Sequence, residues 1–211
     1  MGQADAVNLS PPDHRSDIQP DRGPSIGGLL LTPGAGADRH QRTLVAVEQA
    51  VAPLPCERVD FPYRLRGSRM PDKPEVAIAH LAEQAAALVD RWGIAPDALV
   101  LGGRSYGGRM CSMAVAQGVP AAALVLLSYP LHPPGKPERL RTEHFGQIRV
   151  PVLVVSGRGD PFGTTQEFER GLAAIPGPVT TVWLPGGHDP RRYDEVAGIV
   201  AGWLGELAPG G

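Results

Sequence analysis

The sequence predicts an α/β fold of three layers, a mostly parallel sheet of about six strands flanked by helices on both faces. Three observations carry this. Short continuous apolar runs recur along the chain, and a run that does not alternate with polar residues marks a strand buried on both sides. Between the runs lie stretches whose apolar residues recur every three or four positions, the spacing of a helix with one buried face. Glycine and proline, 27 and 23 of the 211 residues, fall largely in the turns between the two, so strand and helix alternate.

The first strand is expected at Ile26-Gly27-Gly28-Leu29-Leu30-Leu31, ending in the turn Thr32-Pro33-Gly34-Ala35-Gly36. Asp38 is placed to cap a helix reaching Val51, with Leu44, Val45, Val47 and Val51 on its inner side and Pro53 and Pro55 to stop it. Cys56 to Phe61 is a second short strand, and Tyr63 to Lys73 a basic loop. Pro74 fits the first turn of a long helix whose stripe is Val76, Ile78, Leu81, Ala85, Leu88, Val89 and Trp92, with Gly93 to end it. Ala98 to Leu101 is a strand, followed by the turn Gly102 to Gly108 and a helix to about Gln117. Ala121 to Leu127 is the next strand. The proline-rich stretch Ser128 to Val150 carries a short expected helix near Glu138 to Phe145 and is too short for a sizeable lid. Strands then follow at Val152 to Ser156 and Val179 to Leu184, with helices at Thr165 to Ala174 and Tyr193 to Leu207.

Hydrophobic residues at 42% and charged residues at 20% are ordinary for one soluble domain. Residues 1–24, polar and punctuated by Pro11, Pro12, Pro20 and Pro24, are expected to be a flexible lead-in, and 25–211 a single domain. A net charge of −2 gives no basic excess for a nucleic-acid partner. No apolar run approaches the ~18 residues of a membrane span. The N-terminus lacks the basic-then-apolar order of a secretory signal, so the expected location is cytoplasmic. Cys56 and Cys111 do not have metal-ligand spacing and are expected as reduced thiols; neither a metal nor a cofactor is expected.

Sheets of this kind place their sites at the C-terminal ends of the strands. Four motifs follow strands directly: Gly34-Ala35-Gly36, the turn around Ser105, Asp160 and His188. Gly103-Arg104-Ser105-Tyr106-Gly107 has a strand before it and a helix after it, the context in which a strained turn presents a serine hydroxyl to substrate. A serine needs a base. Of six histidines, His14 lies in the lead-in, His40 and His80 on helices, and His132 and His144 in the proline-rich stretch; only His188 follows the last strand. The base needs a carboxylate to orient it. Asp160 follows the penultimate strand, while Asp189 adjoins His188 and is poorly placed for that bond. The order Ser105, Asp160, His188 is that of the α/β-hydrolases. The backbone amides of Tyr106 and Ala35 are expected to form the oxyanion hole.

Tyr63, Tyr106 and Phe162 are candidate walls for a small-molecule acyl substrate. Arg64, Arg66, Arg69, Arg104 and Arg158 cluster around the motifs. Arg64 and Arg104 are candidates to touch substrate, with solvation and structural pairing, for example Arg104 with a nearby carboxylate, as the alternative reading.

Taken together, these residues resemble the compact, lid-poor α/β-hydrolases of the dienelactone-hydrolase-like type. The resemblance rests on Leu31 to Gly36, Asp60 to Tyr63, Gly102 to Met110, Leu127 to His132, Gly157 to Gly163 and Gly187-His188-Asp189, and spans residues 26–205. It implies a serine hydrolase acting on a small carboxylic ester or thioester. Two departures stand out. The oxyanion loop begins Pro33-Gly34 where such proteins often have His-Gly, and the nucleophile is serine where dienelactone hydrolases proper use cysteine. An acyltransferase or peptidase using the same three residues, or a non-catalytic binding or scaffold module, are the alternatives.

Overall fold

A computed structural model of the chain describes residues 25–208. The flexibility expected of residues 1–24 lies outside the described residues. Six strands, β1 (Gly28–Thr32), β2 (Cys56–Arg58), β3 (Leu99–Arg104), β4 (Ala123–Leu127), β5 (Val152–Gly157) and β6 (Val179–Leu184), form one sheet in the order β2-β1-β3-β4-β5-β6. Every pairing is parallel. The chain steps outward from β1 to β2 and then crosses back to place β3 on the other side of β1. That reversal makes the β1/β3 junction a crevice where the two connections leave in opposite directions.

The continuous apolar runs have the expected cause. Alternate residues of a strand face opposite sides, and here each side meets helices. Leu29, Leu31 and Val100 face a core closed by α1 (Arg42–Val51) and α6 (Tyr193–Leu207) through Leu44, Val47, Val200, Trp203 and Leu204. Leu30, Leu99 and Leu101 face a second core closed by α3 (Pro74–Trp92), α4 (Tyr106–Ala116) and α5 (Thr165–Leu172) through Ile78, Leu81, Met110, Ala114 and Phe168. The one-turn helix α2 (Pro62–Leu65) completes the set. Leu101 has no exposed surface, and truncating such a leucine costs about 2–5 kcal/mol. Core packing of this density fixes where each strand ends, and hence where each following loop begins. No helix among the described residues is long and apolar enough to cross a membrane.

Several local expectations are corrected. The first helix begins at Arg42, four residues after Asp38, because the Asp38 carboxylate accepts the His40 amide at 2.9 Å and closes a turn ahead of the helix. Val45 is only half-buried there, and Thr43 takes an inner position. Val76 is 46% exposed, and Ala77 takes the inward place in the first turn of α3. The helix expected near Glu138 to Phe145 does not form. That stretch runs as turns and ends in a single 3-10 turn at Phe145–Gln147, as befits a segment that follows Pro133, Pro134 and Pro137. The strand β3 runs on to Arg104, where Gly103 pairs with Thr32 and with Leu126, and Arg104 with Leu127.

Candidate active site

Ser105 occupies the junction of β3 and α4 with φ 51° and ψ −113°, a left-handed backbone that a residue with a side chain adopts only when its surroundings impose it. Its amide donates to the Leu127 carbonyl at 2.8 Å, and its carbonyl accepts the Arg109 amide at 3.0 Å, so both sides of the kink are tied down. Two glycines make the kink fit. A methyl group on Gly103 would fall on the Thr32 hydroxyl and within 2.7 Å of the Gly107 and Gly108 backbone; one on Gly107 would meet the Pro33 carbonyl at 2.7 Å. Strand, elbow and β1 loop are therefore packed backbone to backbone.

Parallel pairing of β5 with β6 through Gly157 and Leu184 brings the two following loops together. His188 Nε2 lies 2.9 Å from Ser105 Oγ, and His188 Nδ1 lies 2.8 Å from Asp160 Oδ2. The Asp160 side chain has no exposed surface. Its Oδ1 accepts the Phe162 amide at 2.9 Å, and its Oδ2 accepts the Ser156 hydroxyl at 3.3 Å. With both oxygens accepting, the imidazole donates from Nδ1 to the carboxylate and accepts the serine proton at Nε2. Asp189 does not reach the ring; it is half exposed and lies 3.8 Å from Arg104.

The β1 loop reaches the same point. Gly34 sits so close to the elbow that a methyl group there would lie 3.6 Å from Ser105 Cβ. Gly34 donates its amide to Gln41 Oε1 at 3.1 Å and accepts the Ala37 amide at 3.1 Å, which holds the turn from behind. Among the described residues, neither the Ala35 nor the Tyr106 amide donates a hydrogen bond. Tyr106 opens α4, and the first amides of a helix have no partner within it. The start of α4 therefore turns a free N–H and the positive end of its dipole toward this corner.

The other predicted residues divide. The Phe162 ring tilts against His188 with centroids 4.2 Å apart. The Tyr106 ring packs edge-on against Phe61 and Tyr63 at 5.0 and 6.2 Å, and burial pushes its phenol up to about 12. Tyr63 is wholly buried behind it; its hydroxyl lies beside the Gly36 backbone without a hydrogen bond, and burial raises its phenol. Arg64 turns to the Ser68 carbonyl at 3.3 Å and to Asp38 at 3.8 Å. Arg104 turns to the His188 carbonyl at 2.9 Å, as well as to Asp189. Neither guanidinium is directed at Ser105 Oγ by these bonds.

A family model described as alpha/beta hydrolase domain matches residues 26–195, a span that contains the elbow, Asp160 and His188. The chain belongs to the alpha/beta hydrolase family. Solved structures of the same fold include Est1E from Butyrivibrio proteoclasticus bound to ferulic acid, at 14% identity and a TM-score of 0.69, covering 89% of this chain and 92% of that one. A dienelactone hydrolase from Anabaena variabilis is similar at 18% identity and a TM-score of 0.66, over 86% of this chain and 87% of that one. The RedJ thioesterase of the prodiginine biosynthetic pathway in Streptomyces coelicolor is similar at 16% identity and a TM-score of 0.61, over 97% and 91%.

Within this alpha/beta hydrolase, some neighbours of the site escape a reading of the sequence. Ser156 looks like the polar end of an apolar strand, yet its hydroxyl braces Asp160. Arg109 stands four residues beyond Ser105 on the expected helix; that spacing puts it on the same face and was the available signal. Among the described residues, no group of three or more His, Cys, Asp or Glu is arranged to hold a metal ion.

Proposed function

We propose that this chain hydrolyses a small carboxylic ester or thioester through an acyl-serine intermediate. The supporting observation is the continuous relay from Asp160 to His188 to Ser105 at 2.8 and 2.9 Å, ending on a strained elbow beside two uncommitted amides. In the first half-reaction His188 Nε2 takes the Ser105 proton while Ser105 Oγ bonds to the substrate carbonyl carbon. The carbonyl oxygen becomes an anion held by the Ala35 and Tyr106 amides. Collapse breaks the bond to the leaving alcohol or thiol, which receives the proton from His188. In the second half, His188 takes a proton from water, the hydroxide attacks the acyl carbon, and the acid leaves as Ser105 regains its proton. Asp160 holds the imidazole in the required tautomer and stabilises it when charged. Phe162 and Tyr106 wall the site. Ester and thioester chemistry are both represented by the names of structural neighbours, a dienelactone hydrolase and a thioesterase.

The test is turnover of p-nitrophenyl acetate and an acetyl thioester by the wild type, Ser105→Ala and His188→Ala. Each substitution is expected to lower kcat at least about 10³-fold. A Ser105→Ala chain as active as the wild type contradicts the proposal.

A further inference from the structure

Five arginines among the described residues are half-buried: Arg58, Arg64, Arg104, Arg109 and Arg141. Three have a carboxylate close by, Glu48 at 2.9 Å for Arg58, Asp38 at 3.8 Å for Arg64 and Asp189 at 3.8 Å for Arg104. Among the described residues, Arg109 and Arg141 have none within 4.0 Å. Among the described residues Arg109 finds no side-chain hydrogen-bond partner, and its Nε is sealed from solvent. Arg141 offers Nη1 to the Pro130 carbonyl at 3.5 Å, a neutral acceptor at the limit of contact. The loop that carries Arg141 packs on α4 just beyond Arg109, where His144 Nε2 lies 2.8 Å from Ser112 Oγ, and after burial Arg109 is the main influence lowering the Arg141 guanidinium. The nearby His144 adds no charge at neutral pH, because burial and Arg109 hold its imidazole down at about 4. Glu143 is the acidic neighbour, and it is exposed and forms no ion pair among the described residues. Two partly desolvated guanidiniums without a counter-ion are costly, and an anion from outside removes that cost.

Their position ties them to the elbow. Arg109 lies one turn of α4 beyond Ser105, about 6 Å along the axis. Side chains on a helix lean back toward its N-terminus, here toward Ser105 and Tyr106. Arg141 is fixed in the loop after β4, where its amide bonds the Leu131 carbonyl at 2.8 Å and its carbonyl accepts the Tyr129 hydroxyl at 2.6 Å. That loop stands at the same end of the sheet as the elbow.

Resting on the hydrolase reading above, we propose that Arg109 and Arg141 form an anion subsite beside Ser105, and that the substrate is an ester or thioester carrying a carboxylate or phosphate a short distance from its reacting carbonyl. A planar guanidinium pair suits either oxyanion, since each can accept paired N–H donors.

Binding is measured by isothermal titration on the Ser105→Ala chain, which cannot form the acyl-serine. Monomethyl glutarate is expected to bind at least tenfold more tightly than its uncharged match dimethyl glutarate, and inorganic phosphate to compete with it. Arg109→Gln and Arg141→Gln are each expected to erase the contrast, and Arg141→Lys to restore part of it. If Arg109→Gln melts at a much lower temperature, the loop variant Arg141→Gln decides.

Turnover by the chain with Ser105 intact separates the sources of the anion. A kcat/KM ratio of p-nitrophenyl hemiglutarate to p-nitrophenyl valerate that falls in the variants places the charge on the acyl chain. A ratio of acetyl-CoA to acetyl-N-acetylcysteamine that falls places it on the leaving group. Equal binding of the two glutarates together with flat ratios in every variant overturns the subsite, even where esters are turned over. Anion binding lost in the variants without turnover of any ester supports the subsite and counts against the hydrolase reading instead.

Discussion

Replacing Ser105 by glycine is expected to give a more stable protein than replacing it by alanine. Both changes remove the hydroxyl and its bond to His188, so the comparison isolates the backbone. At φ 51° and ψ −113°, alanine keeps the steric conflict of its Cβ and glycine does not. A residue held in so sparse a region stores about 1–3 kcal/mol. Glycine gives back about 0.5–1 kcal/mol through the greater freedom of its unfolded chain. Taken at mid-range, the net gain is about 1 kcal/mol, which for a chain of this length raises Tm by about 2–4 °C. Urea melts and thermal scans of the two variants side by side measure it. A Ser105→Gly chain no more stable than Ser105→Ala refutes the reading of the elbow as a strained turn held by its neighbours.

Two further outcomes follow from the same contacts. Arg104→Gln removes a charge-assisted bond to the His188 carbonyl of about 1.5–3 kcal/mol; the His188 loop loosens, and steady-state kinetics should show kcat down about 10- to 100-fold with KM little changed, whereas an unchanged kcat excludes Arg104 as a strut. His144, held at about 4 against an ordinary 6.5, stays neutral in the fold while the unfolded chain takes up a proton, so its contribution is complete above pH about 6.5 and is lost as pH falls toward about 4. Urea melts across that range should show a shallower decline for His144→Asn, and identical slopes would contradict the burial assigned to it.

Much of the fold was legible because both faces of the sheet are covered: Leu29-Leu30-Leu31 and Leu124-Val125-Leu126 read as strands since every side chain enters a core. The candidate site was legible for a related reason. A parallel sheet delivers all its C-terminal loops to one edge, so Gly34, Ser105, Asp160 and His188 converge whatever their separation along the chain. Directions of long side chains were not legible. Arg104 flanks the nucleophile in sequence, yet it turns to the His188 carbonyl because a neighbouring loop presents an acceptor there. Tyr63 ends wholly buried because Phe61 and Tyr106 close over it, a consequence of three segments meeting. The missing helix near residue 140 reflects prolines upstream whose turns consume the chain before a helical turn can start. Arg141 comes to Arg109's neighbourhood only through the packing of the β4 loop on α4, marked by the 2.8 Å contact of His144 with Ser112, which no local pattern encodes.

Whether Ser105 is an activated nucleophile is read out by covalent labelling. The full chain is treated with a fluorophosphonate, digested and analysed by mass spectrometry, alongside His188→Ala. One adduct is expected, on the peptide containing Ser105, formed far more slowly when His188 is absent. A folded chain that takes up no label at Ser105, or labels equally fast without His188, contradicts it.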